Sequence, residues 1–283
     1  MTRRLGAALA FPLALAPAVL LAQDPPEWIR PTAPFHVAGP IWYVGSAGLA
    51  AYLIKTRDGA ILIDGTMAEN APAIRRNIAA VGVPIRRVKL ILLSHAHFDH
   101  AAGIAALKAA SGARLVTGAG DAAAMATGIP PGETSYGVIE FPAAKVDRAV
   151  RDGDRIEQGG VTLTTVSTPG HTPGCTSYAL RTQVAGRPRD VLFLCSLTVA
   201  GNKLSGNRRY PGIVADFRTS FERMAQRRFD IVLPFHPEQA DVLARGHRGG
   251  EQAFIDPELL PRLVAEARAA FEREYRKQTA IAR

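Results

Sequence analysis

Residues 94–100 read SHAHFDH and follow directly on LILL, the apolar run at 90–93. The run predicts a buried strand, Leu90–Ser94, and the spacing after the cluster predicts a helix over Ile104–Ala110. Three histidines and an aspartate therefore lie on a loop at the edge of a sheet, where a rigid scaffold commonly presents functional groups. Polar side chains at the end of a buried strand lose hydration and do not stabilise the fold. The cluster therefore indicates that something binds there.

The residue types in this loop indicate a metal. In an extended loop His95 and His97 point the same way, because side chains alternate with period two, and Asp99 would join them. The turn into the helix would swing His100 aside, so the loop could supply two neighbouring sets of ligands. Imidazole and carboxylate together suit zinc. A merely polar loop of satisfied histidines is the less favoured interpretation.

Two more histidines lie in similar settings. The stretch TPGHTPG at 168–174 places His171 in a tight turn between predicted strands, and LPFHP at 233–237 places His236 at the end of another buried strand. Taken alone, either histidine could be incidental. Their order after SHAHFDH favours a shared site. The other two histidines lie in Pro- or Gly-rich loops without acidic or histidine neighbours, and we leave them out.

Strands and helices are mixed through both halves of the chain. Sheets covered by helices, an α/β fold, follow from this pattern. The predicted strands are Ile41–Val44, Ala50–Lys55, Ile61–Asp64, Leu90–Ser94, Arg114–Thr117, Val161–Ser167, Cys175–Leu180, Val191–Leu194 and Ile231–Pro234. The predicted helices are Ala68–Val81, Ile104–Ala110, Asp121–Thr127, Phe217–Arg227 and a last one that opens at Asp256-Pro257.

The first 22 residues predict a secretory signal. Two arginines precede an apolar run from Leu5 to Ala22, and cleavage after Ala22 or after Ala18 fits the small residues there. A retained anchor is the alternative, but two prolines break the run, which is short for a membrane span. We therefore expect residues 1–22 to be removed and residues 23–283 to form one periplasmic or secreted domain without membrane contact.

Charge and cysteine content narrow the interpretation further. The formal net charge is +9, but the basic residues are scattered, so a solvated surface is favoured over a nucleic-acid partner. The two cysteines, Cys175 and Cys195, are a candidate disulfide in an oxidising compartment. Such a bond would contribute about 3 kcal/mol on the chain-entropy model. Two reduced, buried cysteines are the alternative.

Taken together, SHAHFDH, TPGHTPG and LPFHP in this order resemble the metallo-β-lactamase superfamily across roughly residues 36–245. The resemblance implies a four-layer αβ/βα sandwich with metals at the edges of two sheets. It also implies that His95, His97 and His171 bind one zinc ion. Asp99, His100 and His236 would bind a second zinc ion. The stretch ILIDG at 61–65 places Asp64 where the family has a structural aspartate behind the ligands.

The end of one predicted strand points to a branch of this superfamily. Thioesterases, lactonases and RNA-processing nucleases of the superfamily carry an aspartate there that bridges both metals, whereas this chain has Ser196, preceded by Cys195. Serine at this position together with His100 resembles the third subclass of class B β-lactamases. The stretches GAGDAA at 118–123 and YPGI at 210–213 resemble that subclass too.

This resemblance implies that the protein hydrolyses the amide bond of penicillins, cephalosporins or carbapenems, as a monomer, with a hydroxide shared between two zinc ions. Such an enzyme confers antibiotic resistance. Asp99 would bind metal and orient the hydroxide or pass its proton to the departing nitrogen. Ser196 and Thr198 would bind the substrate carboxylate, and Asn202 would lie near the developing oxyanion. A basic stretch close by, with Lys203 and Arg208, departs from the expected pattern and leaves the substrate preference open.

Three alternatives stay open at this stage. An exported hydrolase of lactones or thioesters could use the same metals, although the missing bridging aspartate counts against it. A nuclease would fit the positive charge but not export. A non-catalytic zinc-binding or interaction domain would not explain an intact set of six ligands.

Overall fold

The apolar runs of the sequence form two β-sheets in the computed structural model, which describes residues 24–281. The first sheet has the order β1-β2-β3-β4-β5-β6-β7, and the second has the order β12-β11-β10-β9-β8. The strands of the first sheet are β1 (Phe35–Ala38), β2 (Ile41–Tyr43), β3 (Tyr52–Thr56), β4 (Gly59–Ile63), β5 (Val88–Leu92), β6 (Arg114–Gly118) and β7 (Arg148–Val150). The strands of the second are β8 (Arg155–Gln158), β9 (Val161–Ser167), β10 (Thr176–Val184), β11 (Arg187–Leu194) and β12 (Ile231–Pro234).

Helices cover the outer face of each sheet. They are α1 (Ala71–Ala80), α2 (Phe98–Ala101), α3 (Ile104–Ser111), α4 (Ala122–Thr127), α5 (Ile213–Ala225), α6 (Val242–Arg248) and α7 (Leu259–Ile281). Successive side chains on a strand point to opposite faces, so Ile61 and Ile63 of β4 face the second sheet while Leu62 packs beneath α1 and α3. Phe217 of α5 and Phe271 of α7 pack together behind the second sheet, with ring centroids 5.2 Å apart. The expected four-layer αβ/βα sandwich is confirmed.

Strand direction determines where loops meet. Strands β4, β5, β6 and β7 pair in parallel, and so do β11 and β12, while β9, β10 and β11 form an antiparallel meander. The carboxyl ends of parallel strands lie at the same edge of a sheet, which is where ligands bind in open α/β sheets. The loop after β5 and the loop after β12 therefore open at such edges.

Strands β9 and β12 have the predicted bounds, but β1, β7 and β8 were missed. All three lie at the edge of a sheet, and β7 and β8 each bury one side chain, Val150 and Ile156 respectively. An edge strand with one buried residue has no hydrophobic alternation to detect. The last helix also begins later than expected, at Leu259, and the carboxylate of Asp256 accepts hydrogen bonds from Arg245 and Arg262.

Asp121, directly after β6, joins the edges of the two sheets. Its buried carboxylate accepts hydrogen bonds from Ala96 N at 2.8 Å in the SHAHFDH loop, and from Thr172 Oγ1 at 2.7 Å and Gly174 N at 2.8 Å in the TPGHTPG turn. Glycines permit this approach, since a Cβ on Gly118 would lie 2.0 Å from the carbonyl oxygen of Gly174. One carboxylate thus holds the SHAHFDH loop and the TPGHTPG turn together.

Cys175 and Cys195 form a disulfide, with a Cα–Cα distance of 5.9 Å. Cys175 precedes β10 and Cys195 follows β11, so the bond crosses between neighbouring antiparallel strands at the end that carries the TPGHTPG turn. Cross-linking two residues 20 positions apart stabilises the fold by about 3 kcal/mol on the chain-entropy model. It also keeps this turn close to Ser196.

The expected signal peptide, residues 1–22, lies outside the described residues. Between residues 24 and 281, no helix is both long enough and apolar enough to cross a membrane. Export, the cleavage position and the extent of the mature domain therefore stay predictions from the residue pattern.

We expect Asp121→Ala to lower the free energy of unfolding by about 3–5 kcal/mol, because three buried donors lose their acceptor. Chemical denaturation followed by circular dichroism measures the change. Asp190→Ala is the matched control: that carboxylate pairs with Arg181 at 2.8 Å on the surface, and its loss should cost less than about 1 kcal/mol. Equal effects of the two substitutions would contradict the role assigned to Asp121.

Candidate metal centre

Three imidazoles from two loops converge on one point. His171 Nε2 lies 3.0 Å from His97 Nδ1 and 3.1 Å from His95 Nε2. All three side chains are buried. We call His95, His97 and His171 the first triad. Each residue points one ring nitrogen at the space between the three rings, although His171 lies more than 70 positions from the other two along the chain.

A second set of three donors lies beside the first. Asp99 Oδ2 is 3.2 Å from His100 Nε2 and 3.4 Å from His236 Nε2, and the two histidine nitrogens are 3.3 Å apart. We call Asp99, His100 and His236 the second triad. The two triads adjoin, because ligand atoms of His95, Asp99 and His100 all lie within 4.8 Å of one another.

Both triads have the spacing of a tetrahedral zinc site. Zinc–nitrogen and zinc–oxygen distances are about 2.0–2.1 Å, which places tetrahedral ligands about 3.3 Å from one another. The measured separations of 3.0–3.4 Å agree with this. Three protein donors leave further coordination positions open, as in catalytic rather than structural zinc sites. The residues present therefore fit a divalent metal in each triad.

The local chain explains how one loop supplies both triads. His95 and His97 lie on extended backbone after β5 and point the same way, as the period of two predicts. Asp99, which the period of two would place beside them, joins His100 and His236 instead, in the grouping that the family resemblance implies. Helix α2 begins at Phe98, so the strand-like alternation ends before Asp99 is reached.

In His95, His100 and His171, a hydrogen-bond partner holds the ring nitrogen that faces away from the triads, whereas His97 Nε2 is buried without one. His171 Nδ1 donates to the main-chain oxygen of Thr198 at 2.7 Å. His100 Nδ1 donates to Asp64 Oδ2 at 3.0 Å, and His95 Nδ1 lies 3.0 Å from Ser94 Oγ. Such partners select the tautomer and the ring orientation that a metal ligand needs. His236 Nδ1 has a looser partner, Glu238 Oε1 at 3.6 Å.

Asp64 supports both parts of the SHAHFDH loop. Besides the bond from His100, its carboxylate accepts hydrogen bonds from Ser94 N and Ser94 Oγ, both at 2.6 Å. The side chain is fully buried, and the residue has a φ of 64°, in the left-handed region that favours glycine. Strained backbone of this kind persists where the surrounding contacts over-determine it, and it clusters at functional sites.

Burial keeps the first triad neutral. It lowers the pKa of His97 to about 4, and burial together with neighbouring imidazoles lowers the pKa values of His95 and His171 well below the usual value. Neutral imidazole is the form that binds a metal. The first triad is therefore ready for a cation at neutral pH without losing protons.

The second triad carries charge. Burial opposes it, but the charge of Asp99 and hydrogen bonds with Asp64 and Asp99 raise the pKa of His100 to about 10. Likewise, despite burial, the charge on His100 and hydrogen bonds from His100 and His236 hold the pKa of Asp99 well below its usual range. A proton on His100 therefore occupies the position that a metal would take.

A cavity of about 520 Å³ opens onto both triads, and His97, His171, Asp99 and His236 line its floor. Its walls are largely apolar. Among the described residues that line it, none is a lysine or an arginine. The wall side chains are Trp28, Phe98, Tyr136 and Ile139, and the rim carries the carboxylates of Asp24 and Glu238.

Of the residues expected to contact substrate, Thr198 lines the cavity and Asn202 does not. Thr198 lines the cavity, and its Oγ1 lies 2.9 Å from Ser196 Oγ, so the two hydroxyls form one pair. Asn202 was expected near an oxyanion. Its side chain is instead 1% exposed, and its Nδ2 donates to the main-chain oxygen of His171 at 3.0 Å. The Asn202 amide is therefore directed at the His171 main chain rather than at the cavity.

Sequence reasoning missed the cavity walls. Trp28 lies far before the metal-binding loop in the chain, yet its ring centroid is 5.6 Å from that of His236 and 6.2 Å from that of Phe98. Tyr136 lies in a long connection between α4 and β7 that has no regular periodicity. A connection of about 20 residues without secondary structure is itself a sign of function, and it was the one signal available.

The basic stretch next to the site has a structural role in this region. Lys203 Nζ pairs with Glu133 Oε2 at 3.1 Å, and the backbone of Arg208 donates to Glu133 Oε1 at 3.0 Å. Arg209 donates to the carbonyl oxygen of Pro130 at 2.9 Å. These contacts hold the connection that carries Tyr136, and the charged groups of Lys203 and Arg209 are directed at this wall and not at the cavity.

Solved structures with the same fold are similar along nearly the whole chain. BJP-1, a subclass B3 metallo-β-lactamase of Bradyrhizobium japonicum, is 39% identical with a TM-score of 0.86, covering 91% of this chain and 99% of that chain. Native FEZ-1 metallo-β-lactamase from Legionella gormanii is 32% identical with a TM-score of 0.82, covering 88% of this chain and 98% of that chain.

Curated sequences give a second comparison. Hydroxyacylglutathione hydrolase of Acidiphilium cryptum (strain JF-5) is 30% identical over 175 residues, which is 62% of this chain and 58% of that protein. This chain spans between 36% and 58% of the length of the first three curated relatives it matches. The family model of the metallo-β-lactamase superfamily matches residues 49–236. This chain belongs to the metallo-β-lactamase superfamily, a family that implies a divalent metal, and it is similar in structure to the subclass B3 enzymes.

Proposed function

We propose that this protein is a β-lactamase, which hydrolyses the amide bond of penicillins, cephalosporins or carbapenems with two zinc ions, one in each triad. The observation that carries the proposal is His100 in the second triad combined with a serine, Ser196, after β11. Donor atoms for two metals are present, and the strand that would supply a bridging carboxylate supplies a hydroxyl. The solved structures of B3 metallo-β-lactamases support the same conclusion.

Metals held by the two triads would supply the reactive chemistry, by polarising a carbonyl and lowering the pKa of water to about 7. The chain supplies position and exclusion of water. Trp28, Phe98 and Tyr136 give the ring system of the substrate an apolar wall to pack against. Thr198 lines the cavity, and its hydroxyl, paired with that of Ser196, can donate a hydrogen bond to a substrate carboxylate.

Asp99 is the group best placed to move a proton. Its Oδ2 faces His100 and His236, while the carboxylate as a whole lines the cavity. Because its pKa is held low, it is ionised and can accept a hydrogen bond from the attacking water and orient it. As the water gives up its proton, the carboxylate can relay that proton to the nitrogen that leaves when the lactam ring opens. A carboxylate that both holds metal and transfers the proton removes the need for a separate base.

Thioester hydrolysis is the second candidate, because the curated relatives include hydroxyacylglutathione hydrolases. The charges of the cavity disfavour it. Glutathione carries two carboxylates, and the cavity offers them no lysine or arginine among the described lining residues, while Asp24 and Glu238 add negative charge at the rim. A β-lactam has one carboxylate, which the second metal and the two hydroxyls can bind.

The same proposal extends to the oligomeric state, the partners and the compartment of the protein. We infer that the protein acts as a monomer on a small molecule, after export, with neither nucleic acid nor membrane as a partner. The predicted signal segment and the disulfide support an oxidising compartment, in which the Cys175–Cys195 bond persists. Antibiotic resistance would be the consequence in the cell.

We expect the purified protein to hydrolyse nitrocefin and a carbapenem, to lose this activity with a chelator and to regain it with zinc. S-lactoylglutathione and a simple lactone should be hydrolysed much more slowly. The change in absorbance as each substrate is hydrolysed measures the rates. Faster turnover of the thioester than of every β-lactam would contradict the proposal.

We expect His97→Ala to reduce kcat/KM for nitrocefin by at least about 100-fold, because the first triad loses a ligand. His247→Ala is the matched control, since that histidine is exposed and lies on α6, away from the cavity. It should leave the rate unchanged. An active His97→Ala enzyme would overturn the assigned site.

We expect zinc binding at the second triad to weaken first as the pH falls. His100, with a pKa of about 10 in the metal-free protein, must lose a proton to bind metal, whereas the first triad is already neutral at pH 7. Affinity at the second triad should therefore rise roughly tenfold per pH unit between pH 7 and 9. Native mass spectrometry across this range measures the one- and two-zinc forms, and equal pH dependence of both sites would contradict the assignment.

A further inference from the structure

The loop after β11, residues 198–204, contacts His171 at two separate points. Thr198 accepts a hydrogen bond from the ring, at His171 Nδ1, and Asn202 donates one to the main-chain oxygen at 3.0 Å. The first bond orients the ring. The second fixes the backbone from which the ring projects, in a tight turn that carries two prolines and two glycines.

We propose that Asn202 is a positioning residue for the first triad: its amide sets the place of His171 and thereby the affinity of that triad for metal. This inference rests on the proposed metal site but not on the lactam activity. The side chain is 1% exposed, so it has no access to a substrate in the cavity. Its donor is used by His171, and a buried donor that reaches a ligand residue acts through that ligand.

The C-terminal helix holds Asn202 from the other side. Gln278 of α7 donates from Nε2 to the main-chain oxygen of Asn202 at 3.1 Å, and its Oε1 accepts a hydrogen bond from Leu204 N at 2.7 Å. The same loop pairs with the cavity wall, since Ser135 N donates to the oxygen of Gly201 at 2.8 Å. Asn202 thus lies between a long, well-packed helix and a metal ligand.

The preorganisation that these contacts supply has a physical consequence. His171 provides the only donor of the first triad that does not come from the SHAHFDH loop. If its turn is free to shift, the metal must fix the turn when it binds, and the ordering reduces the binding free energy. Partners behind ligands of this kind typically change metal affinity by about 10- to 100-fold.

The test uses Asn202→Asp, which keeps the size of the side chain and removes the donor. We expect one of the two stepwise zinc dissociation constants, measured with zinc chloride against a chromophoric chelator, to weaken by about 10- to 100-fold. The His171 Nδ1–H resonance in ¹⁵N-histidine-labelled, zinc-loaded protein should shift as well. A purely structural role would lower the melting temperature and leave both readouts unchanged.

Asn207→Asp is the matched control. Asn207 is a buried asparagine close by in the chain, its amide donates to the oxygen of Lys203 at 3.0 Å, and it makes no hydrogen bond to His171. It should leave both zinc constants and the resonance unchanged. Equal weakening by the two variants would overturn the proposal, as would an Asn202→Asp protein that binds zinc normally but hydrolyses nitrocefin slowly, which would indicate a direct role in catalysis.

A second variant covers the case in which Asn202→Asp does not fold. Gln278→Met lies on α7 and removes the donor to Asn202 without touching the turn of His171. It should weaken the same zinc constant by a smaller factor, and an unchanged constant in the folded variant would overturn the proposal. If the unmodified protein binds no zinc, the proposed metal site fails instead, so the two failures are distinguishable.

Discussion

Six donor atoms must lie about 3.3 Å from their neighbours, although they come from three separate segments of the chain. This constraint shapes the protein around the site. The loop after β5, the turn before β10 and the end of β12 open at adjoining sheet edges, and the buried carboxylate of Asp121 holds the first two together. A shift of one sheet against the other would move His171 away from His95 and His97. The geometry of the triads therefore depends on the packing between the two sheets.

The two triads differ in charge in the metal-free protein. The first is a neutral set of imidazoles, made so by burial. The second is a charged set in which His100 lies between Asp64 and Asp99. In the metal-free protein that arrangement satisfies the buried carboxylates with a proton, which limits the cost of burying charge. A divalent cation can replace the proton without leaving a carboxylate unpaired. The two sites are therefore expected to respond differently to acid, although they share a cavity.

Much of the site could be predicted from the residues. SHAHFDH is a strong local signal, and the order of His171 and His236 after it placed the distant ligands through family resemblance. Ser196, at the position where other branches of the superfamily have a bridging aspartate, indicated the third subclass of class B β-lactamases. The edge strands β7 and β8 were missed because they bury too few residues to show a pattern. Trp28 and Tyr136 were missed because the residues around Trp28 give no sign of a ligand cavity, and the long connection around Tyr136 indicates function without showing which side chain faces the cavity. Asn202 was noticed, but the direction of its side chain depends on its contact with His171, 31 positions earlier in the chain.

The sequence by itself determined the types of ligand, their spacing along one loop and the burial of the strands before them, because these depend on local periodicity and side-chain chemistry. The family resemblance grouped these side chains into two sets, but only the tertiary structure shows which donor atoms lie together and why. Asp99 joins His100 and His236 because helix α2 begins one residue before it, and His171 joins His95 because two sheet edges meet. Contacts between distant segments depend on how whole layers pack, and no pattern within a single segment records that packing.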